Sequence, residues 1–214
     1  MLSLQNNPFP QIKTDRLLLR QLRDEDSELL FEFRSDPKVM QYVGRPCPKK
    51  IEEITELIAL INRGIEQNET LFWGIELRSS SSSLGNDLAD PLKPGFCGSI
   101  GFWRVNPEAR RAEIGYLLGA KYWGQRIMSE ALWAVVNYGF TSLRLSGIHA
   151  EIDPRNDASA RLLQRLRFKR DADDGEIFFP RDDETNGHFY TLLASQWKLE
   201  GKETPSSEGQ ELPE

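Results

Sequence analysis

The sequence is poor in the residues that build metal centres and covalent frameworks. Its only cysteines, Cys47 and Cys97, lie far apart with no CxxC spacing. They read as unpaired thiols of a reducing compartment, not as a disulfide framework. The only histidines, His149 and His188, are also widely separated, so neither a zinc cluster nor another metal is expected. No apolar run reaches the ~18 residues of a membrane span, and no basic segment leads into an apolar core at the start of the chain. A cytoplasmic protein with no membrane partner is therefore expected. Basic residues are not in excess either. The net charge of −6 argues against direct nucleic-acid binding. No Gly-Lys-Ser/Thr, Gly-x-Ser-x-Gly or GxGxxG is present, which removes the P-loop, the nucleophile elbow and the dinucleotide fingerprint. There are no internal repeats. What remains is 214 residues, 39% apolar and 28% charged, enough for one soluble domain with a proper core.

One stretch stands out, from Ala112 to Phe140. Ile114, Tyr116, Leu117 and Leu118 suit a strand, Tyr122-Trp123-Gly124 a turn, and the run from Gln125 a helix with Met128, Ala131, Leu132, Val135 and Val136 inward. The first amides of a helix lack internal partners and carry the positive end of the dipole, so such a turn can cradle a phosphate. An ordinary β–α corner is the other reading.

The rest of the chain supplies the setting. Residues 1–13 form a polar lead-in arm, followed by a strand over Leu17–Arg20. Asp24 or Asp26 caps a helix running through Phe33. Asp36-Pro37 stops it and starts a short turn over 38–42. An amphipathic helix is expected over 49–67, with Ile51, Ile54, Ile58, Ile61 and Ile65 on one stripe. Strands follow at 71–77 and 96–105, separated by a serine-rich hairpin insertion at 79–94. Gly98 and Gly101 mark bends or close backbone approach. Another strand spans 146–152, Asn156 opens a helix to Arg165, and Phe168 starts a further strand. Polar turns flank Ile177-Phe178-Phe179, and His188–Trp197 reads as the last strand. Residues 199–214 read as a disordered acidic tail. This order predicts an α+β, sandwich-like fold: a mixed, mostly antiparallel twisted sheet with helices on both faces, in one domain over 14–198.

Three features could carry chemistry. The turn is the first. Glu113 is the second, either a general base or an exposed strand residue. Asn156 and Ser159 are the third, and capping alone would explain them. Arg110, Arg111, Lys121, Arg126 and Arg155 crowd the same segments, a local basic excess that suits a phosphate-bearing ligand or is simply a solvated face.

From about Pro10 to Trp197 the sequence resembles the GNAT superfamily of acyl-CoA-dependent N-acyltransferases, most closely its RimJ/RimL branch of ribosomal-protein-alanine N-acetyltransferases. The resemblance rests on Thr14-Asp15-Arg16-Leu17-Leu18-Leu19-Arg20, Ser35-Asp36-Pro37-Lys38-Val39-Met40 and Gly101-Phe102-Trp103. It continues in Ala112-Glu113-Ile114-Gly115-Tyr116, Tyr122-Trp123-Gly124, Asp153-Pro154-Arg155-Asn156-Asp157-Ala158-Ser159 and Leu163-Gln164-Arg165-Leu166-Arg167-Phe168. Each motif is short, but their order and spacing match the family. The resemblance implies acetyl-CoA as cosubstrate and direct transfer of its acetyl group to a primary amine. The amides of Trp123, Gly124, Gln125, Arg126 and Ile127 would hold the CoA pyrophosphate. The backbone of Tyr116, Leu117 and Leu118 would run beside the pantetheine arm, in a splay between two parallel strands, and Asn156 would touch the cosubstrate. Glu113 falls where relatives carry a general base. Ser159 falls where this branch is thought to protonate the departing thiolate. Where many relatives have a tyrosine acid, this chain has Leu163.

Two positions depart from the pattern. Arg126 replaces a small residue in the phosphate turn, and Arg167 replaces a glycine after the helix. A negative φ at Arg126 would cost little, whereas a positive one would cost about 1–2 kcal/mol. At Arg167 a modest stability cost or an altered helix end is expected. A protein N-terminus or an amino-acid-like amine is the expected acceptor. An α-amine of pKa about 7.8 is roughly a quarter neutral near pH 7.4, and a lysine only ~0.1%. A small amine such as a polyamine or antibiotic, or a non-catalytic CoA-binding module, is the alternative. Monomer and homodimer both fit.

Overall fold

The computed structural model describes residues 8–78, 94–171 and 187–197. The hairpin insertion up to residue 93, the turns around Ile177-Phe178-Phe179, the tail and the first seven residues of the arm lie outside them.

Among the described residues eight strands form one sheet in the order β1-β2-β3-β4-β5-β6-β8-β7. They are β1 Ile12–Lys13, β2 Leu17–Gln21, β3 Leu71–Leu77, β4 Gly95–Asn106, β5 Arg111–Leu118, β6 Gly147–Ile152, β7 Lys169–Arg170 and β8 His188–Leu193. Every neighbouring pair is antiparallel except β5–β6. The helices are α1 Ser27–Ser35, α2 Pro37–Met40, α3 Ile51–Glu66, α4 Ile127–Thr141, α5 Asp157–Arg165 and α6 Ala194–Trp197. No helix among the described residues is long and apolar enough to cross a membrane.

Side-chain parity decides which helix covers which face. Trp73 of β3 meets Tyr138 of α4 edge-on, and Phe102 of β4 lies against Gly139 of α4. The next residue along, Gly74, points the other way, onto Phe96, which stacks on Phe33 of α1. Hence α1 and α4 lie on opposite faces of the sheet. Cross-strand pairing extends this to β5: Ile114 and Tyr116, opposite Phe102 and Ile100, share the α4 face, and Glu113 and Gly115 share the α1 face. The glycine expectation holds. A Cβ at Gly98 would lie 2.3 Å from the Leu117 carbonyl oxygen, and one at Gly101 2.4 Å from that of Leu71. Both cysteines are free.

Several expectations shift. Ile12 and Lys13 of the arm pair with β2, because the arm is anchored. Trp73 Nε1 donates to the Pro10 carbonyl at 2.7 Å, and Phe9 packs edge-on against the same indole. Neither Asp24 nor Asp26 caps α1 through its side chain; a 3-10 turn over Asp24–Asp26 precedes the helix, and the Asp26 carboxylate is spent on Arg20 and on the Arg23 amide. Ile54, Ile58, Ile61 and Ile65 are buried in α3, but Ile51 sits in its first turn and is exposed. The last strand ends at Leu193, and the chain coils into α6 so that Trp197 reaches Trp133 and Phe140 and donates to Asn137. The helix expected from Gln125 begins at Ile127, for a reason that belongs to the site.

Candidate active site

The parallel pair β5–β6 is joined over only three residue pairs, Arg111↔Gly147, Ala112↔Ile148 and Glu113↔His149. Past Glu113 the strands part: β5 continues to Leu118 on β4, and β6 continues to Ile152 on β8. A cleft of about 920 Å³ passes through this opening. Its walls include Tyr42 and Val39 from the α1 face, Met128 and Ser159 from the α4 side, and Glu113 to Leu118 between them. Groups on opposite faces of the sheet therefore reach one cavity.

Glu113 stands where the strands begin to diverge. Burial pushes its carboxyl above the ordinary carboxylate value, Arg104 pulls it down, and Glu151 raises it. The Arg104 guanidinium lies 3.6 Å from the Glu113 carboxylate and is half-exposed, so its charge is largely screened by water. Tyr116, on the other face, has its phenol oxygen 3.0 Å from Ser159 Oγ. Burial raises the Tyr116 phenol to about 12, with the Ser159 bond acting in the opposite sense. Asn156 caps α5: its Oδ1 accepts from the Ser159 amide at 3.0 Å. Capping is thus the work of Asn156, and it fixes the residue whose hydroxyl faces Tyr116.

At the turn, a 3-10 segment over Ala120–Tyr122 leads to Gly124, at φ 75, and to Arg126, at φ 58 and ψ 13. Two left-handed residues bend the chain so sharply that α4 cannot start before Ile127. The negative-φ condition for a cheap arginine is not met, and Arg126 bears the left-handed cost. Arg126 makes no side-chain cap bond, so the first-turn amides of α4 have no internal acceptor. Arg167 also keeps the left-handed conformation, at φ 66. The helix end is the one a glycine would make, carried by a costlier residue.

The turn is clamped from a distance. Arg16 Nη1 donates to the Gln125 carbonyl at 3.1 Å, and its Nε pairs with Glu130 of α4 at 2.7 Å. Glu130 also accepts from the Arg16 amide at 3.0 Å and from the Thr14 hydroxyl at 2.5 Å. The Thr-Asp-Arg motif, read in the sequence only as a strand opening, thus holds this turn in place.

Of the expected site residues, Glu113, Tyr116, Leu117, Leu118, Trp123, Gly124, Arg126, Ile127, Asn156 and Ser159 line the cleft; Gln125 does not, its side chain turning to the Lys121 carbonyl. The expected basic group is largely dispersed. Arg110 bonds the Arg144 carbonyl, Arg111 meets His149, Lys121 lies over Phe33 and Tyr122, and Arg155 pairs with Asp153; only Arg126 of that set lines the cleft. Sequence reading missed the cations that do line it, among them Arg34, Lys38, Arg45 and Arg165. It also missed the Tyr116–Ser159 pair. Strand parity could place the tyrosine, but nothing local points to its partner.

A family model described as the acetyltransferase (GNAT) domain matches residues 16–169. The uncharacterized N-acetyltransferase YoaA of Bacillus subtilis (strain 168) is 34% identical over 163 residues, 76% of this chain and 85% of that protein. The [ribosomal protein uS5]-alanine N-acetyltransferase of Escherichia coli (strain K12) is 24% identical, covering 90% of this chain and 89% of its own length. A crystal structure of spermidine N-acetyltransferase from Vibrio cholerae in complex with CoA and spermine superposes with a TM-score of 0.67 at 18% identity, over 86% of this chain and 99% of that one.

Proposed function

This chain belongs to the GNAT acetyltransferases and is an N-acetyltransferase, and from that premise we propose that it acetylates an α-amino group, with Glu113 as base and Ser159 as acid. The observation that carries the reading is the cleft through the sheet, with Glu113 on one face and the Tyr116–Ser159 pair on the other. An amine and a thioester need to arrive from different sides and meet in line, and a parted parallel pair allows that.

Acetyl-CoA, the acetyl donor of this family, supplies the acyl thioester. The residues present fit it. Among the described residues the edge of β5 beyond Glu113 has no strand partner on the β6 side, and the start of α4, without a side-chain cap, presents its first amides to an anion. The Leu118 carbonyl accepts from Trp123 Nε1 at 2.9 Å. A β5 amide near Tyr116 or Leu117 can polarise the acyl oxygen. Glu113, made more basic by burial, takes a proton from the amine nitrogen. Ser159 Oγ, held by its hydrogen bond to the Tyr116 hydroxyl, gives a proton to the leaving sulfur and regains one from solvent after the products leave. A base of this strength suits an α-amine, a fair fraction of which is already neutral near pH 7.4.

The test is release of free CoA thiol with amino acids, peptides and polyamines, and mass spectrometry of the products. Acetylation of α-amines in preference to side-chain or polyamine nitrogens is expected. Exclusive acetylation of polyamines would overturn the acceptor reading, and thiol release with no amine would overturn the enzyme's assignment as a transferase.

Arg126→Gly tests the turn. Relief of the left-handed penalty, about 1–2 kcal/mol, outweighs the entropy glycine adds to the unfolded chain, ~0.4–1 kcal/mol, so Tm should rise by a few degrees. Calorimetry with CoA should show weaker binding and a shallower salt dependence if the guanidinium pairs with phosphate. Tighter binding would mean that the side chain obstructs the cradle.

A further inference from the structure

Six lysine or arginine side chains line the cleft, against two carboxylates, Glu113 and Glu151, in a chain of net charge −6. One of them, Arg104, pairs with Glu113. The other five fall into two groups. Arg126 comes from the turn before α4 and Arg165 from the end of α5. Arg34, Lys38 and Arg45 come from α1, α2 and the segment after them.

Among the described residues no side-chain partner accounts for the second group. The Arg34 side chain makes no hydrogen bond or ion pair there, and its Nε is buried with no acceptor. Its guanidinium is held below its ordinary value, first by burial and then by the nearby Arg45. A half-buried cation with a buried Nε, facing a second cation, is costly unless something else neutralises both. The CoA phosphates are poorly placed to do so. The phosphate cradle leads into α4, whereas α1 covers the opposite face of the sheet, the face on which Glu113 stands. From α1, whose Phe33 packs edge-on against Tyr122 beside the end of β5, the chain crosses the open end of the splay to Tyr42, which lies under Arg155 beside the end of β6. Arg34, Lys38 and Arg45 thus roof the cleft on the side of the base.

We propose that Arg34, Lys38 and Arg45 form an anion site for the acceptor, so that the amine acetylated here is a small molecule that also carries a carboxylate or phosphate. This rests on the acetyltransferase reading and narrows its substrate. Arg34 supplies a forked, half-buried donor, and Lys38 and Arg45, both exposed, supply charge at the mouth. The same charges repel polyamines, so the chain departs here from a spermidine-acetylating relative of the same fold.

The experiment compares matched acceptors in the thiol-release assay: α-amino acids against their carboxamides, and O-phosphoethanolamine against ethanolamine. In the wild type the anionic member of at least one pair should have a kcat/KM at least tenfold higher. Arg34→Met and Lys38→Gln should reduce that ratio to threefold or less. Lys38 is exposed, so its variant keeps the test alive if Arg34→Met folds poorly. A parallel arm measures binding of CoA and 3′-dephospho-CoA to wild type and Arg34→Met. Weaker binding of CoA alone, with the acceptor ratio unchanged, would assign the site to the cosubstrate's 3′-phosphate and overturn the proposal. Acetylation without any preference for the anionic acceptors overturns the anion site while leaving the transferase intact. If no amine is acetylated, the underlying acetyltransferase reading fails, and the acceptor site fails with it.

Discussion

Glu113→Gln is expected to lower kcat/KM for an α-amine acceptor by about 10²–10⁴-fold near pH 7, the usual worth of a positioned general base. The wild-type rate should rise with pH through the ionisation of Glu113, which burial places above the ordinary carboxylate value. The Gln variant should lose that limb and keep only the one due to the acceptor amine. The deficit should shrink above the amine's own pKa, where most of the acceptor is neutral. Stability should move the other way. A carboxyl whose folded pKa is raised stabilises the fold when protonated. That contribution is present below the unfolded-state value and is lost as pH rises through the folded one. At pH 7 to 8 the ionised Glu113 therefore opposes folding, and its replacement by an uncharged isostere should leave Tm unchanged or higher. Parallel pH–rate profiles of wild type and variant would sink Glu113 as base. A marked fall in Tm would mean that its pairing with Arg104 is structural.

Asp26→Ala is expected to destabilise the protein by about 3–5 kcal/mol, the usual consequence of leaving a buried charge without its partner. Asp26 receives both terminal nitrogens of Arg20 at 2.8 Å, and the two side chains are 5% and 7% exposed. The pair raises the Arg20 guanidinium further above its ordinary value, with Asp26 the largest cause. The same carboxylate accepts the Arg23 amide at 2.8 Å, closing the 3-10 turn into α1. Glu76 holds the Arg20 Nε at 2.6 Å, but it is 34% exposed and cannot compensate for Asp26. At a few degrees per kcal/mol for a chain of this size, Tm should fall by on the order of 10 °C. Replacing both partners by apolar residues, Arg20→Met with Asp26→Leu, should recover most of the loss, leaving roughly 1 kcal/mol for the orphaned Arg23 amide. Chemical denaturation of the wild type and the two variants measures these losses. A loss below about 1 kcal/mol for Asp26→Ala would show that the pair carries no stability.

Much of the fold is local and could be read from the chain. The isoleucines of α3, the alternation of β3, the glycines of β4 and the strand–turn–helix after Ala112 depend on residues a few positions apart. The limits of that reading lie where a distant group intervenes. Asp26 does not cap α1 because Arg20 claims it. The last strand stops at Leu193 because Trp197 has a pocket beside α4. Helix α4 starts late because left-handed Gly124 and Arg126 set the turn, which Arg16 and Glu130 hold.

The site divides in the same way. The candidates Glu113, Asn156 and Ser159 and the turn were legible because each sits in a short motif with its own chemistry. The sheet register alone decided that β5 and β6 part after Glu113, which opens a passage between the faces. That passage brings Glu113 and Tyr116 into one cavity and sets Tyr116 against Ser159. It also gathers Arg34, Lys38 and Arg45 at the cleft while sending Arg110 and Arg155 to structural partners. A strand's own residues state which side chains alternate. Only its pairing with neighbours far along the chain states which face each alternation meets, and where the pairing ends.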